Sequence, residues 1–207
     1  MHIVIRSTQQ QKQELLQKGF GNVSVDWINA DEKFQNDADA FFDLIFNDED
    51  VDENSFLDNG LVFANAVNCT CMEITQENYV RINAWPGFLN HNLIELATTD
   101  EEVKRNASKV LNALNWKFVW APDDYGFISA RIIAMIINEA YYAVEEKVSS
   151  KEQIDLAMKL GTNYPFGPFE WAEKIGLEKI YLLLKKLSAK NSRYTISDLL
   201  KEESLNN

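Results

Sequence analysis

Histidine and cysteine are scarce in this chain: two of each in 207 residues. Two histidines, His2 and His91, leave little room for a proton relay or an imidazole-rich metal site, and no metal site is expected. Cys69 and Cys71 form a C-x-C pair. On a strand, residues two apart point to one face, too far apart for disulfide geometry. They read as small core or near-core residues of a reducing compartment. Glycine numbers eight and proline four, too few for a low-complexity chain. No apolar run free of charge is long enough to cross a membrane. The N-terminus enters a strand-like run with no leader pattern, so a cytoplasmic location is expected. Basic residues are outnumbered, 20 against 32 acidic, for a net charge of −12, which argues against a nucleic-acid partner. Between 31 and 58 stand 11 acids and one lysine, a solvated surface.

What is present is a chain of two compositions. Ile3-Val4-Ile5, Val23–Ile28, Ala40–Phe46, Leu61–Val67, Val80–Ala84, Leu93–Ala97 and Phe118–Ala121 read as strands. Asp43 is the lone charge in the Ala40–Phe46 run. Helices are expected over 10–18, stopped by Gly19-Phe20-Gly21, and from Thr99-Asp100-Glu101-Glu102 to about Asn115. Short helices are expected at 75–79 and around Phe56-Leu57. Strands alternating with helices predict a mostly parallel α/β sheet. From Pro122 the pattern turns helical: a long helix 127–148, then 151–160 ended by Gly161, 168–175 opened by Pro168, 177–189 and 196–203. The long helix is apolar nearly all round at its start, as in a helix buried on every side or at a subunit interface.

In this helical half, Asp123-Asp124-Tyr125-Gly126-Phe127-Ile128-Ser129-Ala130-Arg131, Asn138-Glu139-Ala140, Ile154–Gly161 and Tyr164-Pro165-Phe166-Gly167-Pro168-Phe169-Glu170 follow one another at the spacing of a known family. The segment resembles the C-terminal domain of the L-3-hydroxyacyl-CoA dehydrogenases. The resemblance implies a reduced Rossmann-like α/β domain over 1–122. An all-helical domain of the 6-phosphogluconate dehydrogenase C-terminal type would follow over 123–207. It implies a homodimer through helix 127–148, an acyl-CoA ligand, NAD as cofactor, and oxidation of a 3-hydroxyacyl-CoA in fatty-acid metabolism. In the family a His takes the hydroxyl proton while hydride passes to NAD, and a Glu orients that His.

Residue by residue, Glu95 falls at the Glu position and Asn83, twelve residues earlier, at the His position. Asn68 and Cys69 lie near the substrate-oxygen positions, and Ala130 at the substrate Asn position. Arg6, Thr8 and Gln11 stand at the three glycine positions of the pyrophosphate loop, with Asp26 where a ribose-binding acid belongs. An amide is no base near pH 7, and side chains crowd a cradle built of bare backbone N–H groups. The residues therefore imply weakened or lost catalysis. The alternative is a non-catalytic dimeric module that binds acyl-CoA or a protein. His91, four residues before Glu95, would share its face on a strand and is a candidate relocated base. Trp85 and Trp171 read as packing. A six-strand dinucleotide domain needs about 135 residues; 121 precede Pro122, so that domain is expected to be trimmed.

Overall fold

The computed structural model describes residues 1–34, 37–48, 51, 60–74 and 76–206. It divides into two compact units, Met1–Phe127 and Ile128–Asn207. The division falls five residues beyond position 122. Asp123–Phe127 are tied into the first unit: Arg81 Nη1 meets Asp123 Oδ1 at 2.5 Å, and the Gly126 N–H donates to the Val67 carbonyl at 2.9 Å.

The first unit is built on strands β1 (His2–Arg6), β2 (Ser24–Ile28), β3 (Ala40–Asp43), β4 (Val62–Asn65), β5 (Tyr79–Ile82), β6 (Leu93–Ala97) and β7 (Lys117–Trp120). They form one sheet in the order β2-β1-β3-β4-β5-β6-β7. Helix α1 (Gln9–Lys18) joins β1 to β2, and α2 (Glu101–Ala113) joins β6 to β7. Alternation along the strands sorts two cores. Ile3, Ile5, Phe42, Phe63, Val80, Ile82, Ile94 and Leu96 pack with Leu15 of α1 and Val103, Ala107, Val110 and Leu111 of α2. On this side Phe42 and Phe63 stack at 4.3 Å. Val4, Phe41, Val62, Ala64 and Tyr79 form the second core with Phe46, Ala66, Cys69 and Ile74. Both faces of β3 and β4 are covered, hence the unbroken apolar runs there.

The sheet is mixed rather than uniformly parallel. β6 runs antiparallel to β5, while β7 is parallel to β6. The link between β5 and β6 has about ten residues, fewer than the dozen or more a parallel crossover needs. Thr75 and the stretch around Phe56-Leu57 lie outside the described residues. Gln76–Asn78 is a bend and turn, not part of a helix. Cys69 and Cys71 lie in the turns after β4 rather than on a strand, and neither forms a disulfide.

The second unit holds α3 (Ser129–Glu145), α4 (Lys151–Thr162), α5 (Pro168–Ile175), α6 (Leu177–Lys190), a 3₁₀ turn (Ser192–Tyr194) and α7 (Asp198–Asn206). Its core includes Ala134, Ile137, Trp171, Ile175, Ile180, Leu183, Leu184 and Leu200. Helix α3 is shorter than expected at both ends, because Phe127 and Lys147 take left-handed φ values of 47° and 57°. Gly161 does not end α4. The helix runs one residue further, to a left-handed Asn163, a residue that tolerates this conformation.

Two buried side chains organise the connections. Asp155 of α4 accepts from the N–H groups of Phe169 (2.8 Å) and Glu170 (3.1 Å), capping α5. Asn138 of α3 donates to the Thr195 carbonyl (2.9 Å) and accepts from Ser197 N–H (3.0 Å), satisfying the turn before α7.

Candidate functional site

The chain leaves β1 toward β2 on one side and returns to β3 on the other. In open α/β sheets such a reversal creates a crevice at the strands' carboxyl ends, where ligands bind. Here β1 ends in Arg6 and β3 in Asp43, which are register partners. The Arg6 guanidinium grips the carboxylate in a fork, Nη2–Oδ2 2.5 Å and Nε–Oδ1 3.1 Å, with side chains only 9% and 3% exposed. Burial raises the Asp43 carboxyl above its usual range, against the opposing pull of Arg6.

Thr8 caps α1. Its hydroxyl accepts from Gln11 N–H at 3.3 Å, and Gln11 Oε1 accepts from Thr8 N–H at 3.0 Å. The Gln11 amide then reaches across the crevice, donating to the carbonyls of Leu44 (2.7 Å) and Ala84 (3.1 Å). Asn65 donates to the same Leu44 carbonyl at 3.2 Å and accepts from Ala84 N–H at 3.0 Å. A pyrophosphate needs unhindered backbone N–H groups at a helix start. An arginine, a threonine and a glutamine stand there instead, two of them buried, so a dinucleotide does not fit among these residues. Asp26 lies mid-strand opposite Val4, before the carboxyl end of β2. Its carboxylate meets His2 Nε2 at 2.9 Å, which places it away from the crevice.

Asn83 directly follows β5, and Glu95 sits on β6. The antiparallel pairing brings these residues together: Asn83 N–H donates to the Glu95 carbonyl at 3.1 Å, and Asn83 Nδ2 to Glu95 Oε2 at 3.2 Å. Both side chains are buried. His91 lies in the bend before β6 rather than on the strand, and the Glu14 and Glu95 charges act on its ring. Its ring meets Phe88 edge-on at 5.4 Å, its carbonyl accepts from the Lys18 ammonium, and burial pulls its pKa down. Asn68 is buried, its N–H bonded to Asp48 Oδ2 at 2.6 Å. Cys69 is part of the second core. Ala130 is fully buried in α3. Trp85 and Trp171 are both buried.

Several charged groups were not singled out as functional from the sequence. Arg81 is fully buried, bonded to Asp123, the Asp124 carbonyl (3.2 Å) and the Ala66 carbonyl (2.9 Å). Glu14 is buried with Oε1 on Gly87 N–H at 2.8 Å. Asp43 had the clearest signal, as the single charge inside an apolar run. A cavity of about 500 Å³ lies where β5 begins and β6 ends, bordered by Tyr79, Arg81, Thr98, Asp100 and Glu102. Among the described residues no three His, Cys, Asp or Glu converge to hold a metal ion, and no helix is long and apolar enough to cross a membrane.

Residues 126–205 match the family model described as 3-hydroxyacyl-CoA dehydrogenase, C-terminal domain. Over 85 residues the chain is 42% identical to the 3-hydroxyadipyl-CoA dehydrogenase of Escherichia coli, covering 40% of this chain and 18% of that protein. Over 106 residues it is 35% identical to a probable 3-hydroxybutyryl-CoA dehydrogenase of Bacillus subtilis, covering 50% and 37%. These matches span well under half the length of either relative. Among solved structures, 3-hydroxybutyryl-CoA dehydrogenase from Escherichia coli K12 aligns at 32% identity with a TM-score of 0.54, over 62% of this chain and 27% of that one. The (S)-3-hydroxybutyryl-CoA dehydrogenase of Ralstonia eutropha aligns over 99% of this chain and 93% of that one, with a TM-score of 0.71 at 17% identity. At that identity the likeness speaks for the fold: a Rossmann-like α/β unit and a helical unit.

Proposed function

We propose that this chain, whose residues 126–205 match the C-terminal domain of the 3-hydroxyacyl-CoA dehydrogenases, handles acyl-CoA without oxidising it. NAD-linked oxidation of a 3-hydroxyl needs a group that accepts the hydroxyl proton as hydride departs. The position matching the family's His is Asn83, whose amide takes up no proton near neutral pH. The observation that carries the proposal is the Asn83 Nδ2–H donated to Glu95 Oε2 at 3.2 Å. A neutral amide occupies the carboxylate that would otherwise orient an imidazole. Glu95 is thus engaged by an amide that cannot itself serve as a base. Ala130, at the substrate-amide position, has no hydrogen-bonding side chain to offer.

The reading is therefore a binding module on a dehydrogenase framework, and calorimetric titration with acetoacetyl-CoA tests it. The expected result is saturable binding that does not depend on NAD or NADH. No binding of the ester would turn the assignment toward a module that recognises a protein.

A second copy is the proposed partner of the helical unit. Helix α3 leaves Ile128 and Ile132 exposed, the latter at 54%. A shallow groove of about 390 Å³ beside Ile132 is lined by Arg131, Met135, Ile136, Glu139, Arg193 and Tyr194. Apolar centre and charges of both signs suit a patch that must face its own copy across a two-fold axis. Light scattering on the eluting protein is expected to give twice the monomer mass, and Ile132→Glu the monomer mass. A monomer for the wild type at micromolar concentration would contradict the assignment.

A further inference from the structure

The residues in the crevice do more than fail to form a dinucleotide site. A carboxamide offers two donors and two acceptor lone pairs. Gln11 uses all four: Nε2 on Leu44 and Ala84 carbonyls, Oε1 on the N–H and the hydroxyl of Thr8. It has nothing left for a ligand. Arg6 and Asp43, in register at the ends of adjacent strands, neutralise each other in a near-dry setting. Asn65 adds the third tie, bonding the Leu44 carbonyl from the end of β4 and the Ala84 N–H beyond β5. Together these side chains join the carboxyl ends of β1, β3, β4 and β5 and the start of α1. Those are the elements that surround a dinucleotide in folds of this type.

We propose that this network is a built-in closure of the crevice. Arg6, Gln11, Asp43 and Asn65 hold the strand ends together in place of a dinucleotide, and the unit is complete without NAD(H) and closed to it. The parts interlock. Arg6→Gly strands a buried carboxylate, and Gln11→Gly removes the amide donors that the Leu44 and Ala84 carbonyls accept. No single return to glycine recreates a cradle; opening it takes joint replacement. This inference deepens the proposed function but stands apart from it, because NADH binding without turnover would remove the closure and leave the acyl-CoA reading intact.

The experiment is NADH titration followed by fluorescence, together with melting in its presence. Wild-type protein is expected to show no saturable signal up to about 1 mM and no rise in melting temperature, since a ligand that does not bind the native state cannot stabilise it. The variant R6G/D43A/Q11G, which removes both members of the pair and the amide, is expected to gain saturable binding. Should that variant not fold, a double-mutant cycle of Arg6→Gln and Asp43→Asn supplies the second readout. The two effects on the folding equilibrium are expected to be non-additive by about tenfold or more. Saturable NADH binding by wild-type protein, or additive effects in the cycle, would overturn the closure.

Discussion

Arg6→Gly is expected to lower the stability of the strand–helix unit by about 3–5 kcal/mol, the usual cost of breaking a buried ion pair from one side. Both side chains are almost out of solvent and meet in a two-point fork. Removing the guanidinium leaves the Asp43 carboxylate in a near-dry site with the stronger of its partners gone. Arg6→Lys keeps the charge but loses the fork, so it should fall between. The pH dependence follows from Asp43. Burial already raises its folded-state pKa while Arg6 holds it down; without Arg6 it rises further. A carboxyl with a folded pKa above its unfolded value binds its proton more tightly when folded. Its favourable contribution is present at acid pH and lost as pH rises through the folded value. The Arg6→Gly deficit should therefore shrink on acidification from neutral pH into the carboxylate range. Urea unfolding across that range measures it. A deficit below about 1 kcal/mol, typical of exposed pairs, and flat with pH would show that the pair holds nothing.

The second large effect is expected at Gly167. Its φ of −72° is open to any residue, so the demand for glycine is one of space. A Cβ there would lie 2.3 Å from the Asp155 carboxyl. That carboxylate caps α5 through Phe169 and Glu170 and is itself buried. It cannot move aside without losing both bonds. Loss of the cap costs about 1–2 kcal/mol and forced repacking about 1–3 kcal/mol. Gly167→Ala should destabilise the helical unit by about 2–5 kcal/mol. In chemical denaturation Asp155→Gly/Gly167→Ala should be little worse than Asp155→Gly alone, since that change also removes the Asp155 Cβ, which would lie 2.4 Å from the added methyl.

Much of this fold was legible in the residues. β-branched runs marked β1 and β2, caps and glycines marked α1, α2 and α5, and the blocks from Asp123 to Glu170 carried the family. Other features were not legible, because they depend on contacts between residues far apart in the chain. The reversal of β6 follows from a short link, not from the composition of the strand. Arg6 and Asp43 lie 37 residues apart and become partners only through the β1–β3 register. Gln11 looks like an ordinary polar helix residue until Leu44 and Ala84 are brought beside it. The glycine positions showed that a cradle was missing; the bonds of Arg6 and Gln11 show what replaced it. The family resemblance pairs Asn83 with Glu95, and the antiparallel pairing of β5 with β6 explains why twelve residues bring them together. His91 shares a face with Glu95 only if its segment is a strand; it lies in the bend before β6, and the Glu95 charge still acts on its ring.

The most direct measurement follows NADH absorbance when the purified protein is mixed with (S)-3-hydroxybutyryl-CoA and NAD. With an amide in place of the base and the crevice closed by Arg6, Asp43 and Gln11, no NADH is expected above the protein-free control. NADH formation by wild-type protein that Glu95→Gln abolishes would contradict it.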